Sequence, residues 1–400
     1  MRRQQKSTTA SYDVIMLVLN DIAHDGRVRN EAAALATTWR VLVVGTQRSG
    51  GTLPDRETVD GYELRRIRYW RLGASLWQPW RWIRHLLQAW QILRALSATP
   101  TCVYHAHDLP ALILLTLARR RFNPRAKLVY DAHELFLFQS PFRTRTTNLW
   151  HRVNRPLSMW LEGKLAQHTD GVLGLAEGRA RLMARWYGVH PVVIQNAVDP
   201  VPEDARAPVD LQTVAEEGQH IIVHTGEITN RRRAVSELVK AIALLPEDVT
   251  LVFLGKGESC EETRRLAAQL GIAQRVFFLP PVPPEQVAAT IRTAHAAAIL
   301  MRAESWNTRA GQPNKLYEAI GAGVPVVASD MFVLRRLVQP HGLGVVCDPN
   351  DPGSIADALK SILSEENQEV FRKNVRAAQQ VFNWQTEMRK FMMFYQEILA

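Results

Sequence analysis

Lys315 and Glu318 lie three residues apart, just beyond Pro313, in Gly311-Gln312-Pro313-Asn314-Lys315-Leu316-Tyr317-Glu318-Ala319-Ile320-Gly321-Ala322-Gly323-Val324-Pro325-Val326-Val327. Pro313 suits the first turn of a helix, where its missing N–H is no loss. Leu316 and Ile320 give that helix an apolar face, and Gly321 and Gly323 stop it before a buried strand. A helix starting there aims free N–H groups and roughly half a positive charge outward. Lys315 adds a full charge, and Glu318 follows one turn later. Such a junction suits a ligand carrying both phosphates and hydroxyls, such as a nucleotide diphosphate sugar. An ordinary helix with solvated charges has the same local pattern.

Four other clusters could do chemistry. Lys127-Leu128-Val129-Tyr130-Asp131-Ala132-His133-Glu134 brings His133 to the end of a strand, where a neutral imidazole can orient a hydroxyl; Asp131 and Glu134 can support it. Tyr104-His105-Ala106-His107-Asp108 ends another strand. Alternation puts both His on one face, but the spacing lacks the further ligands a metal site needs, so His107 and Asp108 read as an edge for a second substrate. His24-Asp25-Gly26-Arg27-Val28 opens a helix, with Gly26 permitting close approach and Arg27 able to pair with phosphate. Gly226-Glu227-Ile228-Thr229-Asn230-Arg231-Arg232-Arg233 follows a later strand and gathers three cations.

The elements that must position these residues alternate. Strands are predicted at Asp13–Leu19, Arg40–Gly45, Tyr62–Tyr69, Cys102–His107, Lys127–Asp131, Gly171–Leu175 and Val192–Gln195, with helical patterns between most of them. A polar, Pro-rich stretch from Asp199 to Pro208 reads as a linker. Strands then resume at His220–Gly226, Thr250–Leu254, Val276–Leu279, Ala297–Leu300, Val324–Ala328 and Gly344–Val346. This alternation predicts an α/β fold with parallel, doubly wound sheets. Ligands in such folds bind beyond the carboxyl ends of the strands.

Asp-Gly-Arg-Val at 25–28, Tyr-Asp-Ala-His-Glu at 130–134, Pro-Asn-Lys-Leu-Tyr-Glu at 313–318 and Ala-Gly-Val-Pro-Val-Val at 322–327 occur in that order. The set resembles the retaining glycosyltransferases of family 4 (glycosyl transferases group 1). The resemblance implies the GT-B architecture, two facing Rossmann-like domains. Residues 1–203 would hold the acceptor and 204–382 the nucleotide-sugar donor, with a C-terminal helix, 383–400, returning to the first domain. It implies catalytic roles for His133, Arg232 and Lys315. Donor contacts would come from Gly26, Arg27, Gly226, Arg232, Val282, Asn314, Lys315, Leu316 and Glu318, with Val282 offering backbone to the base and Glu318 taking the ribose hydroxyls. His107, Asp108 and Glu134 would lie on the acceptor side. It further implies transfer with retention, without metal or other cofactor, from a UDP- or GDP-linked sugar. Two positions depart from the family pattern: Glu227 stands where an Arg is common, and Ala310 where the first Glu of Glu-x7-Glu would be. A sugar-nucleotide epimerase of similar architecture, or a catalytically silent nucleotide-binding partner protein, are the other readings of these motifs.

Composition sets the surroundings. The 400 residues are globular in make-up, and the length predicts two domains. Three scattered cysteines predict a reducing compartment rather than disulfides or zinc. No stretch of about 18 apolar residues predicts a membrane span, and the apolar run after the basic start is too short for a signal peptide. Residues 1–200 carry 28 Lys+Arg against 15 Asp+Glu, whereas residues 201–400 carry 21 against 24. From Leu64 to His107 there are seven Arg, no acidic residue and five of the 11 Trp. On one helix Trp80, Ile83 and Trp90 form an apolar stripe preceded by Trp77, with Arg81 and Arg84 on another face. This pattern predicts an interfacial helix on an anionic membrane, each Arg contributing about 1 kcal/mol. The expectation is a cytoplasmic protein, peripheral on the inner face of the cell membrane, acting on a glycan or lipid-linked acceptor. No nucleic-acid module is present.

Overall fold

The protein was analysed as a computed structural model, which describes residues 12–23, 25–69, 78–134, 149–215 and 218–400. Two α/β units emerge. The first contains β1 (Tyr12–Leu17), β2 (Val41–Arg48), β3 (Arg56–Val59), β4 (Tyr62–Tyr69), β5 (Thr101–His107), β6 (Lys127–Ala132), β7 (Gly171–Gly174) and β8 (Val192–Val193). Its sheet order is β3-β4-β2-β1-β5-β6-β7-β8. The second contains β9 (His220–Glu227), β10 (Val249–Lys256), β11 (Val276–Leu279), β12 (Ala296–Ile299), β13 (Val326–Ser329) and β14 (Gly344–Cys347), in the order β11-β10-β9-β12-β13-β14.

All ladders are parallel except β3–β4. Helices cover both faces of such sheets, so central strands become continuous apolar runs; Val14 to Leu17 are fully buried. The predicted strands are all present. The sequence reading missed β3, a short antiparallel edge partner of β4. Its turn is Asp60-Gly61, both with positive φ (47° and 86°), the dipeptide that favours a two-residue hairpin.

The chain divides between units at Ile194/Gln195 and again at Glu387/Met388, not at 203/204 and 382/383. Hydrogen bonds explain the first shift. Val201 N donates to Gly321 O at 2.9 Å, and Arg292 reaches the carbonyls of Pro202 and Glu203, so the Pro-rich stretch lies on the second unit. The last helix, Trp384–Leu399, begins in the second unit, but its residues from 388 onward pack within the first, where Phe391 and Tyr395 are fully buried.

Candidate functional site

In the second unit, the loops after β9 and β10 meet the start of helix Asn314–Ala322. Pro313 is the residue before the helix (φ −74°, ψ 140°) rather than part of its first turn. At the other end Gly323 (φ 72°) takes the left-handed turn, and Gln379 Nε2 donates to the carbonyls of Ile320 and Gly321 at 2.9 and 3.0 Å. The carboxyl end of the helix is thus satisfied within the fold, and its amino end is turned to the strand loops.

Glycine is required where those loops approach. Gly226 has φ 79°, and a Cβ there would sit 3.4 Å from Lys315 Cε. A Cβ on Gly255 would fall 1.9 Å from Gly226 O, and one on Gly257 2.0 Å from Ile228 O. No side chain fits at 255 or 257 without moving backbone.

Lys315 is folded over this glycine floor. Its Nζ lies 3.3 Å from Nε2 of His224, a fully buried histidine on β9. Burial and the Arg233 guanidinium push the Lys315 ammonium down to about 7. Burial and Lys315 in turn hold His224 well below the usual imidazole range. Glu318 is raised by burial, and its Oε2 accepts from Thr225 Oγ1 at 3.4 Å. Arg232, predicted to carry the phosphate charge, is instead an exposed rim residue, its Nη2 on Glu227 Oε1 at 2.9 Å. Arg233 is the inward cation: Nε is buried with no hydrogen-bond partner, and burial lowers its pKa. Adjacent residues on the short helix Asn230–Arg233 point in different directions, and Ala234, with a left-handed φ of 49°, breaks that helix from helix Val235–Ile242.

The remaining donor-side expectations separate. Asn314 is exposed, accepting from Asn196 Nδ2 at 3.1 Å. Leu316 does not face a ligand: its side chain is in the core and its N–H bonds Pro313 O, because position 316 falls on the apolar stripe of the helix. Val282 is partly buried against the same core.

In the first unit, residues from six helices and strands form one polar network, most of it buried. Arg27, on helix Gly26–Ala36, makes a bidentate bond to Asp131 (Nε–Oδ2 and Nη2–Oδ1, both 2.8 Å) and donates from Nη1 to Ile194 O at 2.6 Å. Arg27 is therefore engaged inside the fold rather than presented to phosphate, as had been expected; a charge this buried must be paired. Gly26 opens the helix with nothing within 4 Å of a would-be Cβ. Asp131, although buried, is held well below the usual carboxylate range by Arg27 and His133. Its Oδ2 also meets His133 Nε2 at 2.9 Å and His107 Nδ1 at 3.3 Å.

Burial opposes the charge on His133, but Asp131 outweighs it and lifts the pKa to about 9. The imidazole is thus charged at neutral pH, not neutral as the sequence suggested. Asp108, in a left-handed conformation (φ 64°), accepts from the His133 N–H at 3.1 Å, and Arg179 donates to His133 O. Glu134 is partly buried and draws on the Arg179 charge. Glu31, 3.0 Å from Arg27, is the neutral member of the acid pair; burial pushes its carboxyl up to about 8. His105 is kept uncharged by burial and by His107, and its Nδ1 meets Tyr395 OH at 2.6 Å.

Glu31, His105, His107 and Asp131 present ligand atoms within 4.8 Å of one another. A dication fits this set poorly, since the Arg27 guanidinium already lies between the two carboxylates.

Sequence reasoning missed Glu31, Arg179, His224 and Tyr395, and within the three-Arg cluster it took Arg232 in place of Arg233. Of the missed residues only Glu31 carried a local signal, one helical turn from Arg27. Of the interfacial helix, the backbone spans Gln78–Ser97; Trp77 and the side chains of Trp80, Arg81, Ile83 and Arg84 lie outside the described residues, while Leu86, Leu87 and Trp90 are exposed. No helix among the described residues is long and apolar enough to cross a membrane.

Comparison with known proteins places this geometry. Residues 27–201 match Glycosyltransferase Family 4 and residues 210–378 match Glycosyl transferases group 1. A D-inositol 3-phosphate glycosyltransferase of Xylanimonas cellulosilytica is 29% identical over 249 residues, 56% of each chain. The match spans about half the length of such curated relatives. Among solved structures, sucrose-phosphate synthase from Thermosynechococcus elongatus superposes with a TM-score of 0.74 at 18% identity, covering 97% of this chain and 99% of its own. Anabaena HepE in complex with UDP gives 0.67 at 17%, covering 96% and 100%. The fold is theirs, and the two consecutive family matches take in most of the chain: it belongs to the family 4 glycosyltransferases, glycosyl transferases group 1.

Proposed function

We propose that this protein transfers a sugar, with retention, from a nucleotide diphosphate sugar to a glycan or lipid-linked acceptor at a membrane surface. One observation carries the reading: Lys315 and Arg233 converge with a helix amino terminus above a floor of obligate glycines, with the Glu318 carboxylate one turn behind. The cations and N–H groups suit a departing diphosphate, and Glu318 suits ribose hydroxyls. Preorganised donors of this kind contribute about 3–4 kcal/mol each to a transition state. UDP bound to HepE, a protein of the same fold, supports a nucleotide at this site. UDP and GDP remain the two candidate carriers.

In the first unit, the charged His133, backed by Asp131 and His107, would donate a hydrogen bond to a sugar hydroxyl. Charge neutralisation by Lys315 and Arg233 makes the reaction independent of metal, so a chelator should leave the rate unchanged. An epimerase would need freely titrating carboxylates. Asp131 is engaged by Arg27, and Asp108 by the backbone of His133.

Incubating the purified protein with a panel of nucleotide sugars is the test. Transfer or slow donor hydrolysis supports the reading, a new sugar nucleotide supports the epimerase, and binding without turnover supports a silent partner protein. The peripheral membrane reading rests on the Arg-rich, Trp-rich helix and on exposed Leu86, Leu87 and Trp90. Arg81→Glu with Arg84→Glu should release the protein from anionic liposomes, and continued attachment would rule that helix out. A cytoplasmic location without nucleic-acid partners belongs to the same reading.

A further inference from the structure

We infer that Lys315 stands in the ligand-free protein as an uncharged amine beside the His224 imidazole, and that it takes a proton from solvent when a nucleoside diphosphate binds. This inference rests on the donor-site reading and adds to it a protonation step.

The geometry is that of a cation without a counterion. The nitrogen facing Lys315 Nζ belongs to an imidazole, at 3.3 Å. Among the described residues no carboxylate lies within ion-pair distance of it, although two are near. Glu227, on the loop after β9, is taken by Arg232 at 2.9 Å. Glu318, on the same helix as Lys315, is bonded to the Thr225 hydroxyl at 3.4 Å. The remaining charged neighbour is Arg233, another cation. The helix amino terminus adds further positive potential. An ammonium there would face two cationic sources in a buried setting, which is the arrangement that discharges a lysine. Its pKa near 7 agrees.

A diphosphate reverses each of these terms. Its oxygens supply the missing counterion to Lys315 and screen it from Arg233. The step is an acid–base one: a buffer acid gives up a proton, an N–H bond forms at Nζ, and no other bond changes. A neutral amine also lets the site rest without three mutually repelling charges. The consequence is a pH-dependent affinity. Below about pH 7 the ammonium is already present and binding draws no proton to it. Above that, affinity falls by up to tenfold per pH unit until the pKa of the complex is reached.

The test uses the full chain with UDP, ADP and GDP as probes. Calorimetry at pH 8, where a terminal phosphate (pKa about 6) is already ionised, is run in two buffers of different ionisation enthalpy. The expected slope is between about a half and one proton taken up per nucleotide bound, and Lys315→Met should bind more weakly with no uptake. Binding without uptake in the native protein overturns the inference and leaves the donor site intact. Arg233→Gln should shrink the uptake as it weakens binding. A second readout needs no ligand: in lysine-labelled protein, NMR should show one side chain titrating near pH 7, absent from Lys315→Met. A midpoint at the ordinary lysine value, about 10.4, overturns the inference whatever the calorimetry shows. If no probe binds, the donor reading fails and the uptake step with it, while a low lysine midpoint would still establish the uncharged amine.

Discussion

The two buried charge clusters of this protein are built on opposite plans. In the first unit Arg27, Asp131 and His133 satisfy one another: the guanidinium is bidentate, the carboxylate is surrounded by donors, and the imidazolium rests on it. In the second unit Lys315 and Arg233 are half-buried neighbours, and among the described residues no carboxylate is closed onto either. A closed network carries its charges in order to hold side chains in place, and it resists disruption. A cationic site without a counter-charge, whose lysine sheds its proton to rest there, is one that a ligand of opposite sign stabilises. The contrast fits the proposed function, in which the first cluster orients and the second binds.

That contrast can be broken at several points. The largest effect should come from Asp131→Asn, which leaves Arg27 and His133 without their buried counter-charge. It should cost about 3–5 kcal/mol of stability, read by urea denaturation. An effect below about 1 kcal/mol would mean the network is not closed. The His133 imidazolium should also lose its support. In the native protein its contribution is complete below the ordinary pKa of 6.5 and fades as pH passes through about 9; in the variant, ring-nitrogen NMR should find the midpoint moved down.

Lys315→Met should give the opposite signature. Nucleotide binding should weaken by roughly 10- to 150-fold, equivalent to about 1.5–3 kcal/mol, while stability does not fall. The sign follows from the lowered pKa: between about 7 and 10.5 the unfolded chain binds a proton that the native chain lacks, so native stability rises with pH, and Met removes that slope. A destabilised Met variant would count against a surplus-charge site.

Arg233→Gln and Arg232→Gln sharpen the same side. The inward residue should reduce nucleotide affinity about tenfold or more, and the rim residue, exposed and paired with Glu227, by less than about 1 kcal/mol. Equal losses would restore Arg232 to the site. Glu31→Gln should be the mildest change at acid pH, near silent below about 4.5, where the carboxyl is protonated in the native and the unfolded chain alike. Its raised pKa means the native state holds a proton, between 4.5 and about 8, that the unfolded state has released, so native stability falls with pH across that window. The Gln variant should therefore gain on the native protein as pH rises through it, as melting curves at several pH values would show.

Much of this was legible in the sequence. Apolar runs and turn residues located thirteen of the fourteen strands, and Pro-Asn-Lys-Leu-Tyr-Glu marked the helix that carries Lys315. Side-chain direction was not legible. Arg231, Arg232 and Arg233 are chemically identical neighbours, and which one points inward depends on the phase of a four-residue helix that the sequence does not reveal. Leu316 was assigned to the ligand by its motif, although its place in the helical period put it in the core. Charge states also escaped, because they depend on distant partners: His105 and Tyr395 are 290 positions apart, and Arg27 and Asp131 are 104 apart. Local periodicity carries no information over such separations.

The glycine floor limits how this catalyst can be re-engineered. At Gly255 and Gly257 a single added carbon would strike main chain at 1.9 and 2.0 Å, so a saturation library spends those two codons on misfolded clones. Glu227 and Arg232 have exposed side chains paired with each other, and on the proposed reading they are where diversity can be introduced to alter donor preference while the cradle beneath keeps its shape.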